Sequence, residues 1–275
     1  MNLCLVAIFK NESHIMNEYI KHYINQGVDH FFFIDNGSND NYLDILKNYN
    51  NITLKINSKK QSQVEFYNNY FLEECKKYDW VIVCDLDEFI YSRLHFKTIK
   101  EYLNSLDDDI SQVFIPWKIF GSSGFNTIDK KQPDNVVENF TKRINYDKES
   151  GFQGVIMDNN NKYSITKCIV KAKYLTRFEL HSHSTINKNH IGADNNSFIH
   201  INNSFYKINE DILSKSFLHL NHYAIQSYEW FMRIKATRGD AVHINNSRNE
   251  GYYRTFDDSS NDICDFELKL LNRNL

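Results

Sequence analysis

The chain has 275 residues, of which 41% are hydrophobic and 15% are aromatic, and its formal net charge is −3. This length allows one large domain or two small ones, and the composition is that of a folded globule rather than a disordered chain. Lysines and carboxylates are mixed along the sequence without a basic arm or an acidic tail, so the charge gives no reason to expect nucleic-acid binding.

The first hundred residues alternate between short apolar runs and segments with helical spacing of apolar residues. This pattern predicts strands at 2–9, 29–35, 51–57 and 80–89, and helices at 12–26, near 41–49 and at about 62–77. Gly27 is placed to end the first helix. Alternating strands and helices predict an α/β fold whose mixed, mainly parallel sheet is flanked by helices.

The alternation weakens after residue 110. Residues 111–124 predict a strand that enters a Gly/Ser loop, 162–175 a strand pair or one long strand, and 226–238 a helix. Residues 186–215 are rich in asparagine and are predicted to be irregular. Because no Pro- or Ser-rich linker divides the chain, we expect a single domain over residues 1–275.

The spacing of the cysteines and the N-terminal sequence indicate the cellular compartment of the protein. The five cysteines have no C-x-x-C spacing, which predicts buried thiols in a reducing compartment and neither disulfides nor a zinc site. The apolar run "LCLVAIF" lacks the charged start and the cleavage site of a signal peptide. No other stretch approaches membrane-spanning length. We therefore expect a soluble, cytoplasmic protein without a membrane span.

Three polar clusters follow predicted strands: Lys10–Glu12, Asp35–Asp40 and Asp85–Glu88. In a parallel sheet the carboxyl ends of the strands lie at one edge, and ligands bind beyond that edge. The three clusters therefore predict one site.

Asp85 and Asp87 form an Asp-x-Asp pair directly after the buried run "WVIVC". Carboxylate oxygens suit Mg²⁺ or Mn²⁺, and such an ion also binds a diphosphate. The alternative is an ordinary surface pair of acids, which the apolar run before it disfavours. Strand alternation turns Glu88 away from the pair. Asp35 is expected either to bind ribose hydroxyls or a base edge, or only to cap the next helix.

Among the eleven histidines, two short pairs stand out. His181 and His183 share a face of an extended segment, and His219 and His222 lie before the last predicted helix. One of these imidazoles could complete an Asp-x-Asp site for Mn²⁺, and a zinc site made of four histidines is the alternative. Further along, Lys235 and Arg238 lie three apart, and they predict either neutralisation of a diphosphate or a solvated basic face.

Several motifs in order resemble nucleotide-diphospho-sugar glycosyltransferases of the GT-A type, in particular the family-2-like and family-92 (DUF23) enzymes. The matching stretches are "VAIFKNESHIMNEYIKHYINQGVDHFFFIDNGSND", "WVIVCDLDEFIY", "IPWKIFGSSG", "VVENFTKR", "TKCIVK" and "HLNHYAIQSYEWFMRIKATRGDA". They run from residue 5 to about 241 and so cover most of the chain. The resemblance implies a nucleotide-binding half at about 1–110 and an acceptor and catalytic half at about 111–275.

The resemblance also implies roles for particular residues. Asp85 and Asp87 correspond to the metal and diphosphate motif, and His222 to a metal or phosphate ligand. Asp35 would contact the uridine, and Lys235 and Arg238 would lie near the phosphates. The nucleotide pocket would be lined by a segment that contributes Ala7, Phe9, Lys10 and Glu12. The sugar or acceptor pocket would be lined by a second segment, which contributes Trp117 and Gly121.

The implied activity is transfer of a sugar, with galactose expected, from a UDP-sugar to a glycan or other hydroxyl acceptor. Family-92 enzymes invert the anomeric centre, so a carboxylate would deprotonate the acceptor, and Mn²⁺ or Mg²⁺ would stabilise the departing UDP. Glu138 is the first candidate base, followed by Asp158 and Glu179. A retaining enzyme would need no such base.

Two other functional classes remain open from the sequence. One is a nucleotidyltransferase or sugar-nucleotide hydrolase, and the other is an inactive nucleotide-sugar-binding module. The presence of Asp85, Asp87 and His222 together disfavours the inactive module.

Overall fold

A computed structural model of the chain describes residues 1–127, 135–148, 154–196, 200–201, 204–238 and 248–273. Its strands, numbered in chain order, are β1 (Leu3–Phe9), β2 (His30–Asp35), β3 (Ile52–Ile56), β4 (Trp80–Val83), β5 (Glu88–Ser92), β6 (Gln112–Ile119), β7 (Lys142–Arg143), β8 (Val155–Asp158), β9 (Asn161–Lys171), β10 (Leu175–Arg177), β11 (Ser184–Thr185), β12 (His190–Gly192), β13 (His200–Ile201), β14 (Phe205–Ile208), β15 (Leu218–His222) and β16 (Ile263–Cys264). The helices are α1 (Ser13–Asn25), α2 (Tyr42–Leu46), α3 (Gln63–Cys75), α4 (Ile99–Asn104), α5 (Val136–Asn139), α6 (Glu210–Lys215), α7 (Tyr228–Arg233), α8 (Glu250–Ser259) and α9 (Glu267–Arg273).

The main sheet has the order β3-β2-β1-β4-β9-β6-β15-β5. Strands β3, β2, β1 and β4 are parallel neighbours, β9 runs antiparallel to both β4 and β6, and β15 is parallel to β6 and antiparallel to β5. In this path only β9 and β5 oppose the other strands. The predicted α/β class with a mixed, mainly parallel sheet and flanking helices is therefore confirmed.

Strand β1 is buried along its length because it is central and covered on both faces. It pairs with β2 on one side and β4 on the other. Leu5 and Ala7 point into the larger apolar cluster, to which α1 contributes, whereas Val6 points into a second cluster, to which α3 contributes. This arrangement explains why the strand has a continuous apolar run instead of an alternating pattern. Helix α1 is followed by Gly27 with φ +93°, as predicted for its end.

The prediction of one strand at 80–89 is wrong. The strand β4 ends at Val83, and β5 begins at Glu88 and pairs antiparallel with β15 at the other end of the sheet order. Both strands are buried throughout, so both are apolar in sequence. The acids between them do not show in the sequence that one strand has ended and another begins. The turn between them holds both Asp85 and Asp87.

Three further expectations need correction. Residues 186–215 are not wholly irregular, since they contain β12, β14 and α6. The helix expected at 226–238 is shorter: α7 ends at Arg233, and a 3₁₀ turn follows at Lys235–Thr237. Four of the cysteines are buried as expected, but Cys264 is exposed.

The larger apolar cluster draws on both predicted halves, for example Leu5 and Leu220. The division into a nucleotide-binding half and an acceptor half remains a prediction. Within the described ranges, no helix has both the length and the apolar character needed to cross a bilayer.

Candidate active site

A cavity of about 440 Å³ lies where β1, β4, β6 and β15 end. These four strands point the same way, so their carboxyl ends lie at one edge of the sheet, as the polar clusters predict. The cavity brings together most of the predicted site residues: Phe9, Lys10, Glu12, Asp85, Asp87, Trp117, His222, Lys235 and Arg238.

Asp85 is held by a buried lysine from β9. Its Oδ2 lies 3.1 Å from the Nζ of Lys167, and its Oδ1 accepts a hydrogen bond from Gln63 at 3.2 Å. Burial alone would raise the pKa of Asp85, but attraction to Lys167 outweighs it and lowers that pKa. Glu88 lies behind the pair, as predicted, and its Oε2 accepts from the backbone N–H of Asp85 at 2.8 Å. Burial raises the pKa of Glu88 to about 8 despite attraction to Lys167.

Asp87 has a buried lysine of its own. Its Oδ2 accepts a short hydrogen bond from the Nζ of Lys235, and its Oδ1 lies 3.7 Å from the Nε2 of His222. Burial would raise the pKa of Asp87, but Lys235, His222 and Arg238 together outweigh it and keep that pKa well below its usual range. Burial, helped by Lys235, lowers the pKa of His222 to about 3, so its imidazole is neutral at pH 7.

The segment after α7 is tied to the end of β1. The guanidinium of Arg238 donates to the carboxylate of Glu12 at 2.8 Å and to the carbonyl of Lys10 at 2.6 Å. Burial would lower the pKa of Arg238, and the carboxylate of Glu12 raises it instead. These bonds explain how residues more than 220 positions apart in the sequence come to face one cavity.

The cavity carries excess positive charge. Seven lysines and arginines and three carboxylates are among the described residues that line it, so with neutral histidines its formal charge is +4. Four of the cations come from regions for which no role was predicted: Lys59 and Lys60 in the loop before α3, Lys167 in β9, and Arg248 just before α8. An excess of this kind favours a multiply charged anion such as a diphosphate.

Three aromatic side chains form one wall of the cavity. The ring centroid of Trp117 lies 4.1 Å from that of His222 and 6.1 Å from that of His181. The Nε1 of Trp117 and the Nδ1 atoms of both histidines are buried and have no hydrogen-bond partner in the described part of the chain. Buried polar atoms without partners are rare in folded proteins, and in a cavity they indicate a place for a polar ligand.

Three residues predicted to line the nucleotide or sugar pocket do not line the cavity. Ala7 is buried within β1. Asp35 caps its own turn, because its carboxylate accepts from the backbone N–H of Ser38 at 2.7 Å and from the hydroxyl of Tyr42 at 3.0 Å. Gly121 packs against the backbone of Ser260 so closely that a Cβ there would lie 2.6 Å from the carbonyl oxygen.

The three candidate bases also lie outside the cavity lining. Both carboxylate oxygens of Glu138 accept from the guanidinium of Arg273 at 2.9 Å, and this bonding lowers the pKa of Glu138. Asp158 is exposed at the end of β8, opposite Asn161 in the hairpin. Glu179 pairs with Arg177 at 3.0 Å, and 40% of its side chain is exposed. The expectation that one of them faces the site is therefore corrected.

Among the cavity residues that were missed as site residues, two had a weak signal in the sequence. Lys167 is a cation in an otherwise buried strand, which is costly unless the lysine has a charged partner. His181 was noted for its spacing, but spacing does not show that its segment folds against the same edge as His222.

The chemistry of a divalent cation fits two of the predicted ligands. No group of three His, Cys, Asp or Glu side chains that could hold a metal is present within the described ranges. The Oδ1 of Asp87 and the Nε2 of His222 are 3.7 Å apart, so one ion could contact both donor atoms. Mg²⁺ and similar ions that bind together with phosphates need only one or two protein ligands. Asp87 would hold such an ion through Oδ1, the oxygen to which Lys235 does not donate, together with His222, and Asp85 would require release from Lys167.

Comparison with known proteins decides the family. Residues 1–235 match the sequence model of glycosyltransferase family 92. The chain belongs to glycosyltransferase family 92. A family-92 glycosyltransferase protein of Oryza sativa subsp. japonica is 26% identical over 152 residues, which are 52% of this chain and 25% of the rice protein. This family-92 chain thus spans about a quarter of the length of that relative.

Solved glycosyltransferase structures show only distant similarity. The structure of S. aureus TarS 1–349 in complex with UDP covers 63% of this chain and 48% of its own, with 12% identity and a TM-score of 0.36. Glucosyl-3-phosphoglycerate synthase from Mycobacterium tuberculosis, in complex with Mn²⁺, UDP and glucosyl-3-phosphoglycerate, covers 43% of this chain and 44% of its own, with 13% identity and a TM-score of 0.27. At these scores the similarity supports no conclusion about the activity of this family-92 chain.

Proposed function

We propose that this chain is a metal-dependent glycosyltransferase that moves a sugar, with galactose expected, from a UDP-sugar to a hydroxyl acceptor with inversion. Family-92 membership supports glycosyl transfer over the nucleotidyltransferase, hydrolase and inactive-module alternatives. The observation that carries the proposal is the cavity at the ends of β1 and β4, where an Asp-x-Asp pair lies among seven cationic side chains.

The charges of the cavity suit a diphosphate leaving group. Lys235 and Lys167 each neutralise one carboxylate of the pair, and Arg238 lies beside them. A UDP-sugar would bring negative charge that these cations can bind, and fixed cations stabilise the charge that develops on departing UDP. When bound at Asp87 and His222, Mn²⁺ would act as a Lewis acid on the diphosphate oxygens.

The cavity wall formed by Trp117, His222 and His181 suits a sugar. Trp117 offers an apolar ring face and a buried indole N–H without a partner, and His222 and His181 add neutral imidazoles on its two sides. Aromatic rings with a few polar atoms can stack on the apolar face of a sugar and bind its hydroxyls. The acceptor would approach at the same wall, because the reacting carbon belongs to the sugar.

Thermal melting with UDP, GDP and CDP, each with and without Mn²⁺, tests the proposal. We expect UDP to stabilise the chain only with Mn²⁺, by about 3 kcal/mol at one hundred times its dissociation constant. For a chain of this size that stabilisation raises Tm by roughly 5 °C or more. Stabilisation by UDP without a metal would refute the metal dependence. If no nucleotide has any effect, the proposed function is wrong.

A further inference from the structure

An inverting transfer requires a group that takes the proton of the acceptor hydroxyl, and the predicted bases do not face the cavity. The inference that follows rests on the proposed function. Among the described residues that line the cavity, all three carboxylates are in ion pairs: Glu12 with Arg238, Asp85 with Lys167, and Asp87 with Lys235. A carboxylate whose charge is stabilised by a buried cation is a weak base.

The remaining acceptors of a proton on the described cavity wall are the imidazoles of His222 and His181. His222 lies 3.7 Å from Asp87, on the side of Lys235, where the diphosphate and its cation are expected. His181 lies on the other side of Trp117, at 6.1 Å between ring centroids, and the charges nearest to it are those of Lys167 and Asp85. His181 therefore lies beside the wall that is proposed to bind the sugar, and it is not one of the residues expected to bind the diphosphate or its cation.

The segment that carries His181 is held at both ends. Before it, the backbone N–H and carbonyl of Phe178 bond with the side-chain amide of Asn68 in α3, at 2.9 and 3.0 Å. After it, the backbone N–H of His183 donates to the side chain of Gln112 in β6 at 2.8 Å. A base must be kept within reach of the proton it removes, and these clamps restrict the motion of the imidazole.

We propose that the imidazole of His181 is the catalytic base that removes the proton from the attacking acceptor hydroxyl. The acceptor O–H bond breaks, and its proton goes to a ring nitrogen of His181. The acceptor oxygen forms the new bond to the anomeric carbon, while the bond from that carbon to the phosphate oxygen breaks and its electron pair leaves with UDP. His181 then loses the proton to water.

The charges around His181 keep its ring unprotonated, and they leave it a weak base until a donor binds. Burial and the charge of Lys167 lower the pKa of His181 to about 4, against the attraction of Asp85, so the ring is neutral and able to accept a proton at pH 7. His183, the other imidazole of the segment, is also kept neutral by burial, with a pKa of about 3. A diphosphate bound near Lys167 would offset the charge of that lysine and raise the pKa of His181. Donor binding would thus strengthen the base when it is needed.

The test uses His181→Gln, which keeps a polar side chain without a basic nitrogen, and His181→Ala. The matched control is His95→Gln, the same substitution at an exposed histidine that lies outside the cavity lining. Each variant is assayed for release of UDP from UDP-galactose, with water as acceptor, as a function of pH. Binding of UDP with Mn²⁺ is measured separately by thermal melting.

We expect His181→Gln to lower kcat by about 10²- to 10⁴-fold, while the UDP dissociation constant changes less than about threefold because the diphosphate ligands are intact. The fall in kcat toward acidic pH should disappear, and added imidazole should restore part of the activity of His181→Ala. His95→Gln should keep its kcat and pH profile.

Three results would overturn the assignment: unchanged kcat in His181→Gln, equal loss in His95→Gln, or loss of UDP binding together with kcat. If the wild-type chain neither binds UDP nor consumes any UDP-sugar, the proposed function is wrong and the assignment falls with it.

Discussion

Lys235→Met removes the cation from a buried ion pair and leaves Asp87 without its nearest counter-charge. The side chains of Lys235 and Asp87 are 9% and 3% exposed, and removing one partner of such a pair costs about 3–5 kcal/mol. Protonation of Asp87 sets an upper limit to this loss of stability, because a neutral carboxyl no longer needs a counter-charge. To stay neutral at pH 7, a carboxyl with an unfolded pKa of about 3.9 costs about 4 kcal/mol, and at pH 5 about 1.5 kcal/mol.

The contribution of Asp87 to the free energy of unfolding depends on pH with opposite sign in the wild type and in Lys235→Met. In the wild type, the folded pKa of Asp87 lies below its unfolded value because Lys235, with smaller contributions from His222 and Arg238, outweighs burial. Its contribution to stability is therefore present above pH 4 and is lost only as pH falls through the folded pKa. In Lys235→Met, burial places the folded pKa above the unfolded one, so stability falls as pH rises from about 4. The loss relative to wild type should shrink by about 2.5 kcal/mol between pH 7 and pH 5.

Guanidinium unfolding of both proteins at pH 5 and pH 7 measures these differences. The control is Lys215→Met, which removes the lysine of an exposed i,i+4 pair with Asp211, with both side chains about two-thirds exposed. That change should cost at most about 0.5 kcal/mol and show no comparable pH effect. A Lys235→Met variant as stable as wild type at pH 7, or a loss that is equal at both pH values, would refute the buried pair.

Three further predictions concern the cavity and its surroundings. Asp87→Asn should lower kcat for UDP-galactose by about 10²-fold or more and abolish Mn²⁺-dependent UDP stabilisation in melting experiments; an active variant would rule out the metal assignment. Arg238→Met should raise the UDP dissociation constant by about tenfold, since a hydrogen bond to a charged group contributes about 1.5–3 kcal/mol, and unchanged binding in calorimetry would exclude Arg238 from the phosphate site. Glu138→Gln should leave kcat unchanged, because its carboxylate binds Arg273 outside the cavity, and a large loss of turnover would return Glu138 to the catalytic residues.

The sequence predicted part of the cavity lining well because that part depends on local patterns. Phe9 ends β1, Lys10 follows it, and Asp85 and Asp87 follow β4. The apolar runs of both strands are visible, and parallel strands bring their carboxyl ends together. Trp117 and His222 also lie in the cavity, because β6 and β15 run parallel as neighbours.

Asp35 shows the limit of the strand-end argument. It does follow β2, but its carboxylate turns into the next loop and bonds with Ser38 and Tyr42. Both outcomes were compatible with the sequence, since a strand-end carboxylate can bind a ligand or cap a turn. Only the direction of the side chain decides between them.

The catalytic base could not be predicted because its position depends on long-range packing. Glu138 lies in α5, and α9, more than 125 residues later, supplies the arginine that occupies its carboxylate. His181 reaches the cavity only because Asn68 and Gln112, from distant elements, hold the segment around it. No periodicity or spacing encodes these contacts. The same holds for Lys167, whose partner Asp85 precedes it by 82 positions.

The cavity is proposed to bind a UDP-sugar with a divalent cation and to break its anomeric bond. Release of UDP from a panel of UDP-sugars by the wild-type chain, measured in Mn²⁺ and in excess EDTA, is the decisive experiment. We expect turnover of at least one UDP-sugar, with UDP-galactose the expected substrate, in Mn²⁺ only. Turnover that is equal in EDTA would contradict the role of the metal, and no turnover of any UDP-sugar would contradict the proposed activity of the cavity.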